Sequence, residues 1–378
     1  MKRTEKINTG DITVGKPLHL DVFDRNGLLL LKKGFVIQSQ KQLNALFQRG
    51  ACFMFDDIEE DLVQKGPTKQ THEPSPFELI EDVYFQLSVL CDKKSLKSNF
   101  SFRISELCKK IQWACQLNAD ASLGTILLSK NFTYSIAHQI HCAIVCEILS
   151  KFLNHPSLKQ QSLLSAALTM NIAMIELQNM LFNHKERLSD DLKRQVQNHP
   201  QTGVELLRTY GVTDEIWLTT ILQHHECMDG SGYPQGLRGK DIDYHARILT
   251  LADVYCVKLF SRAYRLPLSP DVAARKIITG PHKQCFDQDL AEVFVKEIGI
   301  FHPGSYVRLI NGEVAVVTHR GEKIHHPIVH SILKADGVPF ATPVKRDCSE
   351  EQYAIINSIP PQDIHIEINK LLLWDIKG

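Results

Sequence analysis

Apolar positions recur at helical spacing through most of the chain. From Phe77 onward, Leu79, Ile80, Val83, Leu87 and Leu90 fall at i, i+3 and i+4 intervals, and a second such stretch runs from Phe102 to Leu117. Between about 100 and 300 the same period dominates. A helix over Tyr134–Phe152 puts Ala137, His138, His141, Cys142, Val145 and Leu149 on one face. After Leu188-Ser189, Leu192, Val196, His199, Gly203 and Leu206 continue a stripe, and Leu249, Ala252, Asp253, Cys256 and Phe260 form another within Ala246–Phe260. Both ends change period. Leu18 to Phe23 alternates like a strand, Asn26-Gly27 offers a hairpin turn into Leu28–Leu31, and Ser39 is placed to cap a helix from Gln40 to Arg49. Near the other end, Val307–Leu309, the Asn311-Gly312 turn and Val314–Val317 predict a hairpin, followed by strand-like Ile328-Val329 and Ile364-His365-Ile366. The expected architecture is mainly α, a helical bundle with β-rich modules at both ends. Its parts are an N-terminal module (1–62), a polar, proline-punctuated linker (63–76), connecting helices (77–130), the central helical domain (131–300) and a C-terminal extension (301–378).

Size agrees with several domains, since 378 residues exceed one average core. Lys+Arg and Asp+Glu both number 43, so no whole-chain field favours nucleic acid or an anionic membrane. No apolar run is long enough to span a bilayer, and Met1 to Gly10 lacks the apolar core of a secretory signal. The 10 cysteines contain no CxxC pair, and Cys142, Cys146 and Cys256 sit in apolar helical contexts. That usage predicts buried, reduced thiols and a cytoplasmic protein rather than a disulfide framework.

The candidate chemistry lies in the central domain. His224-His225-Glu226 runs straight into Asp229-Gly230-Ser231-Gly232-Tyr233-Pro234 and then Gly236-Leu237-Arg238-Gly239. Adjacent helical residues point about 100° apart, so the histidine pair is expected to reach two neighbouring ions rather than share one through a common helix face. Gly230 and Gly232 permit close backbone approach, the profile of a site's lip. A lone histidine such as His138 on an apolar stripe is ordinarily a hydrogen-bonded core residue, and a histidine before proline, as in His199-Pro200, is often simply a helix end. Asp253 on an apolar face needs a partner, with Arg247 or a histidine as candidates. His325-His326, before Pro327, reads as surface.

The stretch His224 to Gly239 resembles the signature of the HD-GYP family, metal-dependent phosphodiesterases of bacterial cyclic di-GMP signalling: HHE, two residues, DGSGYP, one residue, GL, one residue, G. The match continues through Ala246-Arg247-Ile248-Leu249 and Ala252-Asp253-Val254-Tyr255. Ser261 to Arg265 is similar to the family's RPYR segment, with Ala263 for the proline, and Phe286-Asp287 to its FDP element. The resemblance implies an HD-domain helical bundle with metal ligands at His138, His199, His224, His225 and Asp253. Arg262 and Arg265, three residues apart, read as sharing one helix face; the resemblance implies phosphate contacts from Arg262, Tyr264 and Arg265 and a GYP loop of Asp229, Gly230, Gly232, Tyr233 and Pro234. His141 has no family counterpart and reads as structural.

One segment departs. Where the family reads LLHDIGK, this chain has Ser165-Ala166-Ala167-Leu168-Thr169-Met170-Asn171-Ile172-Ala173-Met174. Met170 falls on the family's ligand histidine, Asn171 on its metal-bridging aspartate and Met174 on its phosphate-associated lysine. A thioether is a poor ligand for hard ions, and an amide is a weak substitute for a bridging carboxylate. The expectation is therefore a degenerate member that binds cyclic di-GMP or a signalling partner with little hydrolysis. It would hold one divalent transition ion, iron or manganese by resemblance, or none if the site is fully degenerate. Diguanylate cyclase (GGDEF) domain proteins are the implied partners of the GYP loop, with no nucleic acid and no membrane span. Two alternatives stand beside it: a phosphodiesterase with an altered or mononuclear site, and a protein-binding adapter like the HDOD relatives.

Overall fold

The helical period seen from Phe77 onward becomes a bundle in a computed structural model of the chain. It describes residues 2–6, 12, 18, 22–23, 29–31, 37, 43, 52–56, 73–92, 99–129, 132–262, 266–366 and 368–376. The chain divides into two units, 1–71 and 72–378.

In the first unit, β1 (Lys2–Lys6), β2 (Val22–Phe23), β3 (Leu29–Leu31) and β4 (Cys52–Asp56) form an antiparallel sheet in the order β1-β4-β2-β3. β2 pairs with β3, Val22 opposite Leu31 and Phe23 opposite Leu29, across the segment holding Asn26-Gly27. Ile12, Leu18, Val22, Ile37 and Leu43 make its core. Of the expected helix Gln40–Arg49, only Leu43 lies within the described residues, and it is helical.

The second unit opens with α1 (Pro76–Cys91). Ser75 and Glu78 form a reciprocal capping box there, which satisfies N–H groups that a helix start leaves open. Then follow α2 (Phe100–Leu117), α3 (Ala119–Leu128), α4 (Tyr134–Phe152), α5 (Ser157–Thr169), α6 (Ile175–Phe182), α7 (Asp190–Thr209), α8 (Glu215–Gln223), α9 (Tyr244–Leu259), α10 (Pro270–Thr279) and α11 (Gln288–Ile298). α4 is buried on every side from Tyr134 to Ser150, not on one stripe, because α1, α2, α3, α5, α6, α9 and α11 all pack on it. α7 runs through Pro200, so His199 sits mid-helix and not at a helix end. Among the described residues no helix is long and apolar enough to cross a membrane.

A five-stranded antiparallel sheet closes the unit, in the order β8-β7-β6-β5-β9: β5 (Tyr306–Leu309), β6 (Val314–His319), β7 (Ile328–Leu333), β8 (Pro339–Asp347) and β9 (Ile355–Ile359). The β5–β6 hairpin turns at Asn311-Gly312 as expected. The strand expected at Ile364–Ile366 is absent. Pro360 and Pro361 carry no N–H for a ladder, the chain turns through Pro361–Asp363, and Ile364 and Ile366 pack beside Trp374 instead.

The sheet is joined to the bundle by Trp374, just after α12 (Lys370–Leu373). Its ring meets Phe77 edge-on at 5.5 Å, and its indole N–H donates to the Thr318 carbonyl at 2.8 Å. It lies so close over Gly124 that a Cβ there would stand 2.7 Å from the ring. Arg320 adds a polar tie, reaching the Asp120 carboxylate and the Glu297 carbonyl.

Trp374→Ala should leave a large cavity between α1, α3 and β6. A loss of about 3–5 kcal/mol in urea unfolding is expected, and an unchanged midpoint would show that the tail does not brace the bundle.

Two buried histidines away from the lip fix a pH dependence. Burial, with His138 and His302 adding repulsion, pushes His141 down to about 3, and burial pushes His302 down to about 4. The unfolded chain takes up these protons near pH 6.5 whereas the folded chain refuses them, so stability falls as pH drops from about 6.5 towards about 3. Urea midpoints across that window should decline. His141→Phe, which keeps the stack on Phe260, should flatten the slope.

Candidate metal centre and ligand cavity

α7 and α8 each present one histidine with its tautomer fixed. A proline at position 200 has no N–H to give the Val196 carbonyl one turn back, and the Nδ1–H of His199 donates to that carbonyl instead, at 2.6 Å. His224 caps α8, where the last carbonyls lack helical partners, and its Nδ1–H donates to the Ile221 carbonyl at 2.6 Å. A carbonyl only accepts, so both protons sit on Nδ1 and both Nε2 atoms are bare. Those two nitrogens face each other at 3.3 Å. Burial pushes His199 down to about 3 and lowers His224, which keeps both rings neutral.

His225 completes the group. Its ring lies 4.0 Å from that of His224 and 5.0 Å from that of His199, and donor atoms of all three fall within 4.8 Å of one another. The 100° helical rotation does not separate the pair, because α8 has ended at Gln223 and the chain turns between them. Both imidazoles reach one locus. With His199 and His224 buried, His225 half-buried and all three rings neutral, this donor set fits a divalent transition ion.

Asp253, on α9, links the group to a second one. Its Oδ1 accepts from His138 Nε2 at 2.7 Å and its Oδ2 stands 3.9 Å from His225 Nδ1. Burial alone would raise its carboxyl, but the hydrogen bond from His138 outweighs it and holds Asp253 below the usual carboxylate range. Arg247 is not its partner, being spent on Asp287 and the Ile242 carbonyl. Cys142, read from the sequence as a core thiol, approaches His138 Nε2 to 3.8 Å, so His138, Cys142 and Asp253 form a second potential ligand group. His141 is structural, stacked on Phe260 at 5.2 Å.

The departing segment forms the turns between α5 and α6. Met170 is fully buried in the apolar core, whereas Asn171 and Met174 line a cavity of about 520 Å³. His199, His225, Asp253, Tyr233 and Arg262 line the same cavity. A second cavity, about 570 Å³, opens on the other side of Met174 and His199. Arg262 is not on a helix, since α9 ends at Leu259. Its guanidinium lies 4.1 Å over the Tyr134 ring and donates to the Tyr134 hydroxyl at 2.6 Å. Tyr264 and Arg265 lie outside the described residues.

The lip is a tied loop. The Glu226 carboxylate accepts from the backbone of Gln235 and Leu237 at 2.6 and 2.9 Å, and Tyr233 N–H donates to the His225 carbonyl at 3.1 Å. Tyr233 stacks on His225 at 4.7 Å, followed by a cis bond to Pro234. Asp229 closes the outer turn by accepting from Ser231, and Gly230 takes φ +79°. The expectation of reduced thiols fails here, since Cys227 is disulfide-bonded to Cys285. A separation of 58 residues gave no local spacing to detect; the fold brings the two loops together, where Met228 N–H also donates to the Cys285 carbonyl. Cys91, Cys108, Cys115, Cys142, Cys146, Cys256 and Cys348 are free.

Gly232 has no room for a side chain, because a Cβ would stand 2.4–2.5 Å from the backbone of Cys227, Glu226 and His225. Gly232→Ala must displace the His225 segment, and roughly tenfold weaker binding of a transition ion is expected by titration. An unchanged affinity would separate the lip from the centre.

The HD-domain family profile matches residues 90–290. A cyclic di-GMP phosphodiesterase of Pseudomonas aeruginosa is 25% identical over 328 residues, 80% of this chain and 78% of that protein. The cyclic di-GMP phosphodiesterase PdeB of Borreliella burgdorferi is 24% identical over 202 residues, 53% of each chain, so that this chain spans about half of its length. Among solved structures, an HDG"Y"P protein of Bdellovibrio bacteriovorus shares the fold at TM-score 0.50 and 13% identity, over 78% of this chain and 98% of that one. The helical bundle, its converging histidines and the loop that follows them thus belong together: this chain is a member of the HD-domain family, in its HD-GYP branch.

Proposed function

We propose that this protein binds cyclic di-GMP beside a single transition ion held by His199, His224 and His225, with little or no hydrolysis. The observation that carries the reading is the donor inventory at the cavity floor. Three neutral histidines supply a site for one ion, while a neutral amide, Asn171, and a thioether, Met174, stand at the positions whose chemistry the family relies on. The names of the relatives supply the ligand. An ion at the histidines would act as a Lewis acid towards a phosphodiester oxygen. The chain's own residues then do the rest. Asp253, anchored by His138, sets the charge beside His225; Tyr233 holds that ring by stacking; Glu226 fixes the lip that borders the cavity.

Cys142 favours a second reading, a slow phosphodiesterase with a shifted ligand set, because His138, Cys142 and Asp253 offer nitrogen, sulfur and oxygen donors close to the first group. A pure adapter has no use for two bare, buried imidazole nitrogens facing each other. The exposed lip residues Asp229, Ser231, Pro234 and Gln235 suit a protein partner, and a diguanylate cyclase (GGDEF) domain is the proposed one.

Elemental analysis of protein purified without chelator should give about one transition ion per chain, with cyclic di-GMP bound but not cleaved when manganese or iron is supplied. Met170→His with Asn171→Asp should raise the content to about two and introduce turnover. About two ions and turnover in the unaltered protein would overturn the reading in favour of the shifted ligand set.

A further inference from the structure

The cavity over His199, His225 and Asp253 has a rim that the metal centre does not use. The connection between α6 and α7 brings His184, Lys185, Glu186 and Arg187 to its wall. Lys185 and Arg187 are exposed, and among the described residues neither has an ion pair or a side-chain hydrogen bond. Nearby cations are committed: Lys193 to Asp190, Arg194 to Asp191, Arg247 to Asp287, and the terminal nitrogen of Arg262 to Tyr134. Two cations without an ion pair stand at this rim against one exposed carboxylate, Glu186, and with Arg262 they outnumber the two carboxylates of the cavity, Glu186 and Asp253, which makes it a local anion trap in a chain without net charge.

The wall behind them is unsatisfied as well. Gln178 is 5% exposed and its Oε1 has no partner. His184 Nε2 and Arg262 Nε are buried and lack partners too. All three residues line this one cavity. Buried polar atoms are nearly always paired, so a wall that gathers three orphans around a volume of about 520 Å³ is shaped for a polar occupant.

We propose that Lys185 and Arg187 clamp the phosphates of an anionic phosphodiester ligand in this cavity, while the orphaned groups of Gln178 and His184 hydrogen-bond the rest of the same molecule. Lysine acts as a point charge and arginine as a fork that takes two phosphate oxygens. The charge that Met174 does not provide is thereby supplied by other residues lining the same cavity. The identification of the ligand as cyclic di-GMP rests on the function proposed above; the anion clamp rests on the rim itself.

Calorimetric titration of the full chain, with its metal content recorded, tests this with two probes, cyclic di-GMP and inorganic pyrophosphate. Lys185→Ala with Arg187→Ala should weaken both at least tenfold at unchanged metal content and flatten the dependence on salt. Lys185→Arg with Arg187→Lys should keep most of the affinity. Gln178→Ala should weaken cyclic di-GMP but not pyrophosphate. Equal binding of both probes by the alanine pair and the unaltered protein overturns the clamp and leaves the cyclic di-GMP reading standing. Pyrophosphate bound in a Lys185- and Arg187-dependent way, without cyclic di-GMP binding, supports the clamp and removes that reading. No binding of either probe overturns both.

Discussion

Two imidazole nitrogens that carry no proton face each other at 3.3 Å, and the rest of the site follows from that contact. Left alone, two lone pairs at that distance repel. The arrangement survives because each ring is locked from behind by a carbonyl that its helix leaves unpaired, one through a missing proline N–H and one through a helix end. An ion held by His199 and His224 would replace that repulsion with attraction to both nitrogens. The His-Pro pair is thus a device for orienting a ring inside a continuous helix, not a helix terminus.

The scaffold around this contact is rigid where the chemistry needs it. α4 is buried on all sides, so His138 reaches Asp253 from a helix with no freedom to rotate. Asp253 in turn stands beside His225, and Tyr233 stacks on that ring from the lip. The lip is fixed by Glu226, by the space Gly232 leaves empty and by the bond between Cys227 and Cys285. The C-terminal sheet braces the bundle from the other end through Trp374 and Arg320, remote from the cavity residues.

The sequence made the helices legible because period 3.6 persists over long stretches, and α4 begins and ends at the residues its periodicity predicts. The histidines and Asp253 were legible through fixed spacings. What the residues alone left hidden has physical causes. The convergence of His224 and His225 depends on α8 stopping one residue before the pair, beyond the resolution of a periodicity argument. The Cys227–Cys285 bond joins two loops 58 residues apart, and the Cys142 approach to His138 involves a thiol whose local context looks like ordinary core; both are tertiary facts. Lys185 and Arg187 sit in a short polar connection, where charge is the default and carries no signal until a cavity lies behind it. Ile364–Ile366 has strand composition, but the chain turns just before it through Pro361–Asp363 and its two isoleucines pack into the Trp374 cluster instead of joining a ladder.

The charge inventory is the argument for the single ion proposed at this floor. Two dications about 4 Å apart repel by on the order of 17 kcal/mol at an effective dielectric of 20, so binuclear sites place a shared carboxylate between them. Here the three histidines are neutral, Asn171 is neutral, and the one carboxylate, Asp253, is already engaged by His138. One negative charge offsets half of one dication and leaves a second uncompensated. A positive ligand wall cannot help a metal pair, but it complements the opposite partner, an anion. A neutral floor with Asp253 beside it and a cationic rim is the charge pattern on which the proposed single ion and phosphodiester ligand rest.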